Sequence, residues 1–193
     1  MGTPNSVNFH LDISNVLSTN VDADARIIYL RGEINEELFD WFLPAFTILD
    51  RGNKPITIKI TSGGGDTYIG FAIYDLIRNA KNKVIAEVYG RCYSIAALIL
   101  VAADVRMITE LSGVLIHDTI AILHEEQTVK HSQMVLQASE LKRLCHEYYN
   151  KIALRTGQKL DFIKELGSED KILSSSEALQ YGFVHKIIKG KKQ

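Results

Sequence analysis

Hydrophobic and polar positions along the chain change period several times, and each change marks an element. Residues 25–30 (ARIIYL) predict a short strand that Gly32 ends. Asn35 then caps a helix with Glu36 and Glu37 in its first turn and Leu38, Phe42, Phe46 and Leu49 at helical spacing. Pro44 falls inside that pattern and predicts a kink or a 3₁₀ start. Residues 55–61 (PITIKIT) alternate as a strand, and the run Ser62-Gly63-Gly64-Gly65-Asp66 follows as a turn. A helix over about 67–79 should bury Ile69, Phe71, Ala72, Ile73, Leu76 and Ile77. Residues 82–88 are the next strand. Repeated strand–helix–strand units imply an α/β fold with a mostly parallel sheet and right-handed crossovers.

The second half begins at a turn glycine, Gly90, followed by a short buried helix over 94–103. Short strands are expected over 104–108 and 113–116. The longest helical pattern runs from Glu125 to about Arg155, with a broad apolar stripe that includes Met134, Val135, Leu144, Tyr148, Tyr149 and Ile152. A helix near 30 residues is about 45 Å long, so part of it should project and make subunit contacts. Gly157 ends it. A short helix over 159–166, another over 177–181 after three serines, and a strand over 183–188 complete the domain. Residues 1–21 read as an N-terminal arm, 22–188 as one domain and 189–193 as a solvated tail.

Composition narrows the class. The chain has 193 residues, enough for one domain with a sizeable core, and a formal net charge of -1. That balance gives no electrostatic case for nucleic acid or an anionic membrane. The longest apolar run, 95–103, is half of what a bilayer span needs. Two cysteines are no disulfide framework and fit a reducing, cytoplasmic setting. Residues 1–11 lack the basic start and apolar centre of a signal peptide. The histidines and cysteines show no zinc-like spacing, so neither metal nor cofactor is expected.

Four places could carry chemistry. Ser94 follows a strand and opens an apolar helix, where main-chain N–H groups can stabilise a developing oxyanion. Serine is also a common N-cap, and that reading stays open. The glycine run at 63–65 can present N–H groups to negative charge, or be a plain turn; it matches no phosphate loop. His117 leaves a buried strand, as a base or as a structural histidine. Asp170 sits in a loop from which it could orient an imidazole, with Glu169 as its local competitor.

Six segments, in this order and spacing, resemble the Clp protease proteolytic subunit, a self-compartmentalising serine peptidase. They are ARIIYLRGEI at 25–34, ITSGGGDTYIGFAIYDLI at 60–77, YGRCYSIAALILVAA at 89–103, SGVLIHDT at 112–119, RTGQKLDFIKE at 155–165 and EDKILSSSEALQYGFVHKII at 169–188. The resemblance implies a crotonase-like ββα spiral with a protruding helical handle at about 125–155. It places the nucleophile on Ser94, the base on His117 and the orienting acid on Asp170. The oxyanion donors would be the backbone N–H groups of Gly65 and Ile95. It further implies a homo-oligomer, a heptameric ring stacked into a tetradecamer, that cleaves unfolded chains and short peptides inside a chamber fed by an AAA+ unfoldase.

The chain departs from that family in places. Cys92 and Tyr93 precede the nucleophile where small residues are usual. Gly63 stands where proline is usual, and Asp118-Thr119 replaces glutamine and proline after the base. Asp118 should favour the imidazolium by charge pairing if close. Residues 120–127 lack the glycines of the family's substrate-lining strand. Three rival readings are a catalytically weak structural subunit of a mixed ring, a crotonase-type acyl-CoA enzyme and a serine–lysine peptidase. The last would need a lysine in place of His117.

Overall fold

The computed structural model describes residues 19–118 and 130–190. The segment 120–127, the start of the helix expected at 125, most of the arm and the end of the tail lie outside the described residues. Among those described, eight strands form one sheet with the order β1 (Val21–Asp22), β2 (Ile27–Ile34), β3 (Ile56–Gly65), β4 (Val84–Tyr93), β5 (Val105–Thr109) and β8 (Lys186–Ile188). The remaining two of the eight, β6 (Gly113–Leu115) and β7 (Ile172–Ser174), form a branch in which β6 pairs with the far half of β4 and β7 with β6. All neighbours are parallel except β1–β2 and β6–β7.

The glycines that the sequence pattern assigned to strand ends lie inside strands. β2 continues past Gly32 to Ile34, β3 takes in the whole glycine run to Gly65, and β4 passes Gly90 to reach Tyr93. Each continues because a parallel neighbour supplies ladder partners: Gly65 pairs with Ile34, and Cys92 with both Ser62 and Val114. The glycines mark bends instead. Register shifts fall at Gly32/Glu33 and Ile60/Ser62. β4 pairs with β5 through Val88 and with β6 from Arg91, with Gly90 at φ 80° between them. The sheet turns there into a second layer, and that layer carries the site. Bulges and glycine kinks are how strands change direction without breaking the ladder.

Helix α1 (Glu36–Asp50) is capped by Asn35, whose side chain accepts from the Leu38 N–H, and buries the expected four apolar residues. Pro44 does not end it. The proline lies on the exposed face, where water can satisfy the carbonyl one turn back. Helix α2 (Thr67–Arg78) buries Gly70, Ile73, Tyr74 and Ile77. Ile69, Phe71 and Leu76 only flank the core. The buried face is rotated from the expected one because Gly70, lacking a Cβ, lets Ile95 pack directly on the helix.

Helix α3 (Ile95–Ala102) has every side chain buried and touches α2, β3, β4 and helix α4 (His131–Thr156). Three arginines close its C-terminal end. Arg155 donates from Nε to the Val101 carbonyl (2.7 Å) and from Nη2 to Ala103 (2.9 Å). Arg106 donates from Nη1 to Val101 (3.3 Å), and Arg78 from Nη1 to Ala102 (3.0 Å). Cations there satisfy orphan carbonyls and oppose the negative end of the helix dipole. The crowding has a cost: burial, then Arg155 and Arg78, depress the Arg106 guanidinium to about 10, and its Nε is buried with no hydrogen-bond partner among the described residues.

In α4 the buried residues begin at Leu144, while Met134, Val135 and Leu136 are exposed. Residues 131–139 are all exposed and stand clear of the domain, and the helix meets it from Glu140, which accepts from Tyr68 Oη (2.7 Å). Helices α5 (Leu160–Ser168) and α6 (Ser175–Gln180) close the structure, the latter through a Ser174–Glu177 capping box.

Removing the clamp should be costly. Arg155→Met leaves the Ala103 carbonyl without its arginine and weakens the hold on Val101. It is expected to lower stability by about 2 kcal/mol, read as a lower urea midpoint.

Candidate active site

Ser94 sits where β4 gives way to α3, at φ 57° and ψ -131°. Non-glycine residues rarely adopt this backbone, and such strain persists only when the surroundings over-determine it. Here they do. The Ser94 N–H donates to the Leu115 carbonyl (2.8 Å), and the Ser94 carbonyl accepts from the Ala97 N–H (2.9 Å) and from Tyr148 Oη (3.0 Å). The side chain makes no capping hydrogen bond. Ser94 is thus not an ordinary N-cap. Its main chain is held from three directions, and its hydroxyl is left for other work.

The glycine strand comes up against it. A Cβ at Gly64 would lie 2.6 Å from Ser94 Cβ and 3.1 Å from its Oγ, and Gly64 has φ 100°. Only glycine brings main chain this close in that conformation. Buried Ser62 sets the curve: its Oγ donates to the Gly32 carbonyl (2.6 Å) and accepts from the Gly64 N–H (3.1 Å). Gly65 and Ile95 both line the cleft that contains Ser94, a space of about 960 Å³. Ile95 opens α3, so its N–H belongs to the first turn, where donors lack intrahelical acceptors.

His117 follows β6 and borders two spaces. On one side is the cleft with Ser94. On the other is a cavity of about 410 Å³ lined by Asp118, Gly167, Ser168 and Asp170. His117 thus shares one space with Ser94 and the other with Asp170. Its Nδ1 lies 2.6 Å from the Asp118 carbonyl oxygen. A carbonyl can only accept, so Nδ1 is the donor, and in the neutral ring Nε2 is then the acceptor. Asp170 is exposed, at φ 49°, in the turn between α5 and β7. Among the described residues no hydrogen bond joins Ser94 to His117 or His117 to Asp170. Ser94 and Asp170 line different spaces, His117 lines both, and the imidazole is bonded to its own neighbour's main chain.

Two features escaped the sequence pattern. Asp118 meets the imidazole through its carbonyl, while its carboxylate is engaged elsewhere. Oδ1 accepts from Tyr149 Oη (2.6 Å) and from Cys145 Sγ (3.4 Å). Tyr148 and Tyr149, two entries in an apolar stripe by periodicity, both send hydroxyls to the site. The only signal in the sequence was a pair of polar-tipped rings where aliphatic residues would fill the same space. Burial, then the Asp118 bond, pushes the Tyr149 phenol above its usual range, so it stays a donor. Burial likewise raises the Cys92 thiol, so Cys92 is no rival nucleophile at neutral pH. Among the described residues no group of three His, Cys, Asp or Glu side chains could hold a metal ion, and no helix is long and apolar enough to cross a membrane.

The bent parallel sheet, the buried helix behind Ser94 and the projecting α4 make a crotonase-like α/β fold of the ClpP kind. Among solved structures, a point mutant of ClpP1 from Listeria monocytogenes matches with a TM-score of 0.79 and 30% identity, over 88% of this chain and 94% of that one. The family model described as Clp protease matches residues 13–191, and the chain belongs to that family. Curated relatives include ATP-dependent Clp protease proteolytic subunit 2 of Borreliella burgdorferi, 32% identical over 88% of this chain and 85% of the relative. Subunit 3 of a Synechococcus strain is 29% identical over 84% of this chain and 82% of the relative.

Gly64→Ala tests the close approach. The added methyl forces the glycine strand and Ser94 apart. Displacement of this order should slow labelling of Ser94 by a fluorophosphonate by about 100-fold. Circular dichroism should show the fold retained.

Proposed function

We propose that the chain is a serine endopeptidase, the proteolytic subunit of a Clp-type protease. The observation that carries this reading is Ser94: an uncapped serine in a strained backbone at the head of a buried helix, sharing one cleft with His117, Gly65 and Ile95. The curated relatives from Borreliella burgdorferi and Synechococcus, both named as proteolytic subunits, support it.

In this mechanism Ser94 Oγ attacks the peptide carbonyl while His117 Nε2 takes its proton. The Gly65 and Ile95 N–H groups hold the oxyanion, each such donor supplying on the order of 3 kcal/mol to the transition state. His117 then protonates the leaving amine. Water, activated by the same imidazole, releases the acyl group and restores the serine. Asp170, the orienting acid of this reading, lines the smaller cavity with His117 and stabilises the imidazolium by its charge, while the Nδ1–H itself is on the Asp118 carbonyl. No cofactor or metal takes part in these steps.

The assembly belongs to the same proposal. The exposed apolar face of the projecting N-terminal part of α4 suits contact with further copies. We assign a homo-oligomeric ring, heptameric and stacked as a tetradecamer, with the cleft facing an inner chamber. An ATP-dependent unfoldase of the AAA+ class would feed unfolded chains to it in the cytoplasm, and short peptides would enter alone.

Ser94→Ala should lower hydrolysis of a short fluorogenic peptide by at least about 1,000-fold with the fold intact. Unchanged turnover would end the peptidase reading. Native mass spectrometry of the wild type should give a multiple of seven subunits; a monomer would end the ring assignment.

A further inference from the structure

Tyr148 and Tyr149 are consecutive on α4, yet they hold different arms of the site. Tyr148 Oη reaches the Ser94 carbonyl (3.0 Å), and Tyr149 Oη reaches the Asp118 carboxylate (2.6 Å). The Tyr149 ring also packs against Gly167, leaving no room there for a Cβ. Gly167 begins the segment that ends in Asp170. One turn of one helix thus touches the serine, the residue beside the histidine and the approach to the aspartate.

Asp118 is secured at both ends. Its carboxylate takes the Tyr149 proton in a short, charge-assisted bond, and its carbonyl takes the His117 Nδ1 proton (2.6 Å). Tyr149 is 2% exposed and packed in the core, so its hydroxyl is a fixed anchor rather than a solvated tip. The imidazole borders open space on two sides. An unrestrained ring there is free to rotate and to exchange tautomers. The bond to Asp118 removes that freedom, and the bond to Tyr149 keeps Asp118 where it can do so.

We propose that Tyr149 is a positioning residue for His117: through Asp118 it holds the imidazole in the Nδ1–H form, with Nε2 free to accept the proton of Ser94. This rests on His117 being the base. Tyr149 touches neither the substrate cleft nor the reacting atoms and acts only through Asp118. Asp118 in turn acts by placement and not by charge, since the atom facing the imidazole is its main-chain oxygen. Among the described residues, Cys145, the second donor to the same carboxylate oxygen, Tyr148, whose ring packs on Tyr149, and Asp170, across the cavity, are the other titratable groups around this contact.

The test compares Tyr149→Phe, Asp118→Ala and Asp118→Asn in the assembled protein. The first readout is the pair of ring ¹⁵N chemical shifts of His117 in ¹⁵N-histidine-labelled protein. The wild type should show Nδ1–H. Tyr149→Phe and Asp118→Ala should show a tautomer mixture. The second readout is peptide hydrolysis: each of those two variants should lose roughly tenfold in kcat with KM within about twofold, since misorientation of a base costs rate and not substrate affinity. The double variant should be no slower than either single one, because both cut the same chain of contacts. Asp118→Asn retains an acceptor for Tyr149 and should recover most of the kcat lost in Asp118→Ala. An unchanged tautomer and kcat in both Tyr149→Phe and Asp118→Ala would overturn the proposal. So would an Asp118→Asn variant as slow as Asp118→Ala, which would assign the effect to charge. Should Tyr149→Phe fail to fold, Asp118→Ala, at an exposed position, carries the same test. A wild type that hydrolyses no peptide and whose Ser94 resists fluorophosphonate overturns the peptidase reading instead, and the tautomer comparison still decides this one.

Discussion

The structure depends on burying one short helix completely while securing both of its ends. An eight-residue helix with no exposed side chain has no water to satisfy its terminal groups. At the C-terminal end three arginines from α2, β5 and α4 cover the last carbonyls. At the N-terminal end the chain must pass from β4 into the helix within one residue, and that residue is Ser94, forced to positive φ. The strain of the nucleophile and the clustering of cations are two consequences of the same burial. Stability is drawn from the apolar surface of α3 and spent on a geometry that leaves a hydroxyl uncapped beside first-turn N–H groups.

A second constraint shapes what faces that hydroxyl. Strands β2, β3 and β4 each run through a glycine bend and continue into the smaller layer with β6 and β7. The bends let the main chain at Gly64 lie against Ser94 and let β6 deliver His117 to the same cleft. Parallel pairing does this positioning. The Ser94 N–H bonds to the Leu115 carbonyl, so the nucleophile and the strand that leads to the base are parts of one hydrogen-bonded framework.

The departures of this chain from its family acquire a physical sense in that framework. Asp118, which on the sequence suggested a charge paired with the base, turns its carboxylate to Tyr149 and gives the base its carbonyl. Gly63 leaves the glycine strand intact, because the curve there is set by buried Ser62 and by Gly64. Cys92 is buried with its thiol against the Ala96 carbonyl and fills core volume.

Periodicity and turn chemistry alone determined the parallel α/β class, the order of the longer elements, the Asn35 cap, the buried helix behind Ser94 and the long projecting helix, but not the short strands β1 and β7, which lie in segments that read as arm and loop. These are local signals, set by which residues can bury a face and which can start a helix. The spaced segments also determined the family and pointed to Ser94, His117 and Asp170. Only the tertiary structure decided that the glycines continue strands, since a bend and an end look alike without the neighbouring strand. It alone decided that Ser94 is uncapped, because a cap is recognised by where the hydroxyl points. The arginine clamp, and the reach of Tyr149 to Asp118 across 31 positions, were beyond any periodicity. Contacts between distant segments depend on how the sheet bends, and no local pattern encodes that.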